Sequence, residues 1–227
     1  MHYFLNGGRN ERGVLLDDSS LALYKQLGIK RVLFVVYALV EDYWQDAWSR
    51  SKSLITINGI EARSLTIYDS DPAFITSAIR WADFVYIPGG SQATLLKRMQ
   101  ELGTAEILSQ TVQENSLKLL GGGSAGAMAM GSWCIVGHKN VKNVIEGLQY
   151  IPGNIIDSHF TERNRLPRLQ AVLQDLGDGR MIGMGLDEDT AVLLDEKLKM
   201  IAIYGPGNVT IINKKVSVYD KNSPLTA

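Results

Sequence analysis

Apolar positions fall into short runs separated by longer amphipathic stretches. "HYFLNGG" at 2–8 reads as a strand ending in a glycine turn. "RVLFVVYAL" at 31–39 is continuously apolar, as expected of a strand covered on both faces. "YWQDAWSRSKSLITING" at 43–59 has helical character and stops at Asn58-Gly59. "EARSLTIYD" at 61–69 predicts a strand. The stretch 71–82 predicts a helix with Asp71 as N-cap and Pro72 in its first turn. A strand over 83–90 ends in Pro-Gly-Gly. A helix over 91–103 closes at Gly103, and 105–116 continues helical. "LKLLGGG" at 117–123 predicts another strand.

After this the pattern changes. "NVIEGLQYIPGNIIDSHF" holds short β-like pieces, "TERNRLPRLQAVLQDLG" begins as loop and becomes helix, and the region after Arg180 reads as short strands with Gly, Asp-Glu and Asn turns. Strand–helix alternation followed by hairpins predicts an α/β fold. Its sheet is mainly parallel and flanked by helices, with an antiparallel extension near the C-terminus. No repeat or linker interrupts the 227 residues, so a single domain over 1–227 is expected.

Composition narrows the class. Apolar residues make up 45% and charged residues 21%, enough for a sizeable core. The net charge of −1 gives no field favouring nucleic acid or anionic membranes. The longest apolar run, Val32 to Val40, is too short to span a bilayer. The opening "MHYFLNGGRN" lacks the pattern of a secretory signal, so a cytoplasmic location is expected. One cysteine, Cys134, excludes an intrachain disulfide framework and a cysteine-based metal site.

Candidate chemistry centres on "GGSAG" at 122–126, which fits G-x-S-x-G. This pattern marks a sharp strand-to-helix turn that exposes a serine, here Ser124, with helix N–H groups beside it. A glycine-rich turn with an incidental serine would read the same. A serine nucleophile needs a base, usually histidine. The chain has three: His2, near the start; His138, in a polar stretch that reads as exposed loop; and His159, at the end of a predicted strand. His159 has the best context. Arg163, Arg165 and Arg168 follow it. They are either a solvated basic face or a site for a carboxylate, which guanidinium binds bidentately.

Together these residues resemble a known group. "GSAGA" at 123–127, "DSHFTERNRLPRL" at 157–169, "GLDEDTAVLL" at 185–194 and "IPGGSQATLL" at 87–96 are similar to peptidase family S51, which includes aspartyl dipeptidase (peptidase E) and cyanophycinase. The resemblance implies a flavodoxin-like fold related to class I glutamine amidotransferases, with serine replacing the amidotransferase cysteine. It implies hydrolysis after aspartate, including the β-aspartyl-arginine link of cyanophycin and its dipeptides. The cyanophycinase branch matches better. By that resemblance Gln92 contacts substrate, and Arg163, Arg165 and Arg168 occupy the arginine positions after the histidine. Ser158 stands where cyanophycinases generally carry glutamine and is placed in the substrate site. The expected triad is Ser124, His159 and an acid. Glu146 is favoured for its place before "GLQYIP", and Asp157 is the other candidate between Ser124 and His159. The acids of "DEDTA" either support the site from behind or form a charged turn. Gly90 and Ala125 are expected to supply oxyanion N–H groups. No metal or organic cofactor is required. The expected partner is a small aspartyl peptide, with no nucleic acid or membrane, and a homodimer is left open.

Two other readings share part of this pattern. An α/β-hydrolase esterase shares G-x-S-x-G but needs a later histidine, and none follows position 159. A binding protein that has lost its chemistry is the alternative from another class.

Overall fold

The computed structural model describes residues 1–8, 18–38, 56, 58–137, 143–176 and 179–225. His138 and most of the expected helix at 43–59, with Trp44 and Trp48, lie outside the described residues.

The strands form two sheets. The first has the order β11-β10-β1-β5-β4-β2-β3. Its parallel centre is β1 (His2–Asn6), β5 (Leu119–Gly123), β4 (Phe84–Ile87), β2 (Arg31–Val35) and β3 (Glu61–Leu65). β10 (Ala191–Leu194) and β11 (Met200–Tyr204) add antiparallel strands beyond β1. The second sheet has the order β13-β12-β9-β8-β6-β7. Here β6 (Gly131–Ile135), β8 (Ile151–Ser158) and β9 (Ile182–Leu186) run parallel. β7 (Val144–Glu146), β12 (Val209–Asn213) and β13 (Lys215–Tyr219) are antiparallel additions. The expected α/β class and antiparallel extension are present. The division into two sheets was not foreseen, because strand periodicity reports burial and not which strand pairs with which.

The apolar runs are buried on both faces, and their two-residue period divides the core. Tyr3, Leu5, Leu33, Val35, Val85 and Ile87 point into one cluster. It also takes Ile75 and Ile79 of α2 (Pro72–Trp81), Leu95 and Met99 of α3 (Gln92–Glu101) and Leu108 of α4 (Thr104–Gln113). The alternating residues Phe4, Val32, Phe34, Phe84 and Tyr86 pack on the other face with Leu23 and Tyr24 of α1 (Asp18–Gln26). Two further helices are α5 (Ala125–Ala129), directly after β5, and α6 (Leu166–Asp175). The start of α2 follows the sequence reading: Asp71 accepts a bond from the Ala73 N–H at 3.0 Å, and Pro72 opens the helix.

Candidate active site

The strand ends of both sheets converge on one place. β5 leads through Gly123 into Ser124, which sits at φ 48°, ψ −114° immediately before α5. A non-glycine residue in this region stores roughly 1–3 kcal/mol of strain. The turn is tight: a Cβ on Gly126 would lie 1.9 Å from the Ile87 carbonyl oxygen. β8 of the second sheet ends at Ser158 and hands over to His159, also at positive φ (48°). Nε2 of His159 lies 2.9 Å from the Ser124 hydroxyl oxygen.

The end of β1 ties the two together. The Ser124 N–H donates to the Asn6 carbonyl at 3.0 Å, and the His159 N–H donates to the Gly7 carbonyl at 3.0 Å. The Asp189 N–H donates to the Gly8 carbonyl at 3.1 Å. Gly8 has φ +93°, and a Cβ there would lie 2.7 Å from Cε1 of His159 and 2.8 Å from Cβ of Ser124. The Asn6-Gly7-Gly8 turn is therefore the strap across which serine and histidine meet. In the sequence the Gly7-Gly8 pair at a strand end marks this place only as a turn.

The acid on the other side of the imidazole is Glu188, whose Oε1 is 2.8 Å from Nδ1 of His159. This corrects the expectation for Glu146. Glu146 ends an edge strand, pairs with Trp133 through the backbone and is exposed. Asp157 is not the acid either, although it alternates with His159 along the strand. It is fully buried and neutralised by two arginines. Arg168 donates from Nε at 2.6 Å and from Nη2 at 2.5 Å, and Arg165 donates from Nη1 at 2.8 Å. The end of the strand explains the outcome: β8 stops at Ser158 and His159 turns to φ 48°, so the two-residue alternation that would place both side chains on one face is broken between them. Glu188 was visible only as part of "DEDTA", after the histidine and across a helix and a strand from it. Its neighbour Asp187 holds the turn, accepting from the N–H groups of Thr161 at 3.1 Å and Asn208 at 3.0 Å.

The arginine trio divides. Arg168, 4% exposed, also donates from Nη1 to the Gly137 carbonyl at 3.2 Å and does not line the cavity. Its guanidinium is directed at Asp157 and Gly137, away from the cavity where a substrate contact was expected. Arg165 lines the cavity, but its Nη1 is committed to Asp157 and to the Ser158 carbonyl. Arg163 is exposed and lines the cavity. That cavity, about 440 Å³, is also bordered by Gly90, Gln92, Ser124, Ser158 and His159. Ala125 is buried at the start of α5, beside Ser124.

Electrostatics suit the imidazole to accept a proton. Burial holds the His159 pKa below its usual 6.5; the Glu188 bond opposes this, and the Arg163 and Arg165 charges add to it. A neutral ring with Nδ1–H directed at Glu188 leaves Nε2 free to take the serine proton.

Fold and site together define an α/β protein in which a serine, a histidine and a glutamate are hydrogen-bonded in line at the meeting point of two sheets. The chain belongs to peptidase family S51, whose model matches residues 5–201. It is 31% identical over 150 residues to a cyanophycinase of Geminocystis herdmanii, covering 63% of this chain and 54% of that one. It is 34% identical over 155 residues to a cyanophycinase of Nostoc sp. strain PCC 7120, covering 63% and 51%. The chain thus spans about half the length of these curated relatives. Among solved structures, a peptidase from an acI-B1 actinobacterium superposes with a TM-score of 0.68 at 18% identity, over 98% of this chain and 95% of that one. A peptidase E-type protein of Listeria monocytogenes gives 0.61 at 18%, over 91% and 98%. At that identity the likeness establishes the fold. Among the described residues, no helix is long and apolar enough to cross a membrane.

Proposed function

We propose that the chain is a serine peptidase hydrolysing the bond that follows an aspartyl residue, in β-aspartyl dipeptides or cyanophycin-like chain ends. The observation that carries this reading is the continuous relay from Ser124 through His159 to Glu188, with contacts of 2.9 and 2.8 Å. Ser124 attacks the scissile carbonyl while Nε2 of His159 takes its proton. Glu188 stabilises the imidazolium that forms. N–H groups of Gly90 and Ala125 face the developing oxyanion. The imidazolium then protonates the leaving amine, and water resolves the acyl-enzyme by the reverse relay. Arg163 at the cavity wall recognises a substrate carboxylate. The cyanophycinase relatives support an aspartyl substrate.

The test is Ser124→Ala. The purified variant is expected to keep its fold by circular dichroism and lose cleavage of a panel of α- and β-aspartyl dipeptides and cyanophycin. Undiminished turnover by that variant would refute the assignment.

A further inference from the structure

Met128, on the short helix behind Ser124, has no place in the relay, yet its sulfur is a hub. It is fully buried. The Gln92 amide nitrogen points at Sδ from 3.3 Å, the Ser158 hydroxyl from 3.2 Å, and Nη1 of Arg165 lies 4.0 Å away. A thioether has lone pairs and no hydrogen, so it can only accept. This decides the orientation of both neutral cavity groups. Gln92 must turn its NH2 to the sulfur, and the Ser158 hydrogen must point the same way. Both residues line the cavity. What they offer it is the Gln92 carbonyl oxygen and the Ser158 oxygen lone pairs, which are acceptors. Among the described residues, the Gln92 oxygen has no hydrogen-bond partner.

We propose that Met128 fixes the hydrogen-bonding polarity of the cavity, so that Gln92 and Ser158 receive an N–H-bearing group, an ammonium at neutral pH, carried by the aspartyl residue. The inference rests on the aspartyl-peptidase reading and deepens it. Arg163 takes the negative group of that residue and the methionine-oriented pair takes the positive one. With a donor-capable or apolar residue at 128, the Gln92 amide would be free to turn over and donate. The thioether is also a weak acceptor, so it holds the donors in place without itself competing for substrate.

L-Aspartate and succinate differ only in the amino group, and both resemble the acid released. Isothermal titration calorimetry on the full-length protein measures each. Aspartate is expected to bind at least about tenfold more tightly, the worth of one hydrogen bond to a charged group. In Met128→Leu, a substitution of similar volume, loss of the sulfur frees the amide to turn over, and the preference is expected to fall below about threefold. Gln92→Glu lies at the part-exposed start of α3 and tolerates change; it leaves an acceptor that cannot donate. Its aspartate preference is expected to be kept or enlarged, even if charge weakens both ligands. Equal affinities in the unmodified protein, no binding of either ligand, an undiminished preference in Met128→Leu, or a lost preference in Gln92→Glu would each overturn the assignment. Failure of the peptidase reading shows itself separately, as no Ser124-dependent cleavage.

Discussion

Exchanging Glu188 for glutamine tests the proposed relay most sharply, because it separates the carboxylate that the fold brings to the imidazole from Glu146, which the sequence favours. Nδ1 of His159 and Oε1 of Glu188 are 2.8 Å apart, with side chains only 10% and 13% exposed. With the charges spread over ring and carboxylate, the effective separation is about 4 Å. At an effective dielectric of ~20 the attraction available to the imidazolium is about 4 kcal/mol. That charge exists only once the serine proton has moved, so the loss falls on the transition state. About 4 kcal/mol corresponds to a kcat roughly 1,000-fold lower. Glutamine can also present its N–H to Nδ1 and hold the wrong tautomer, which acts in the same direction. Steady-state hydrolysis of the best aspartyl dipeptide measures the effect, with Glu146→Gln in parallel. The exposed Glu146 variant is expected to stay within about twofold of the parent, as surface substitutions usually do. A Glu188→Gln enzyme that keeps more than about a tenth of its kcat, or a Glu146→Gln enzyme that loses most of it, would refute the assigned acid.

Three further outcomes follow from the geometry. Gly8→Ala would place a methyl 2.7 Å from Cε1 of His159 at φ +93°; kcat is expected to drop at least about 100-fold through misplacement of serine and imidazole, and an active variant would contradict the strap. Asp157→Ala leaves Arg165 and Arg168 buried without their shared carboxylate, so thermal unfolding is expected to show a loss of about 3–5 kcal/mol, or roughly 10 °C in Tm. The His159 pKa lies below 6.5, mainly through burial, so kcat/KM is expected to rise from the acid side with a midpoint below 6.5. The same depression means that the unfolded chain binds this proton more tightly, so the group contributes stability above pH ~6.5 that is lost as acid is added. A kcat/KM midpoint at or above 6.5 would show that burial does not dominate at this ring.

Local patterning was sufficient for most elements and for the Ser124–His159 pairing. A run such as Val32–Val35 is apolar because both its faces are covered, and the capped start of α2 uses only neighbours in sequence. Gly123-Ser124-Ala125-Gly126 likewise carries its own geometric demand, and with three histidines in the chain the choice of the one that meets Ser124 was narrow. The arrangement of strands into two sheets was not legible, because a strand's hydrogen-bonding edge is the same backbone whatever its partner. Nor were the charges. Asp157, Glu146 and Glu188 are chemically near-equivalent in a string of letters. Folding buries Asp157 against two guanidiniums, leaves Glu146 in solvent and brings Glu188 to the imidazole. The role of a carboxylate is set by the dielectric and the partner it meets, and both depend on contacts between segments distant along the chain.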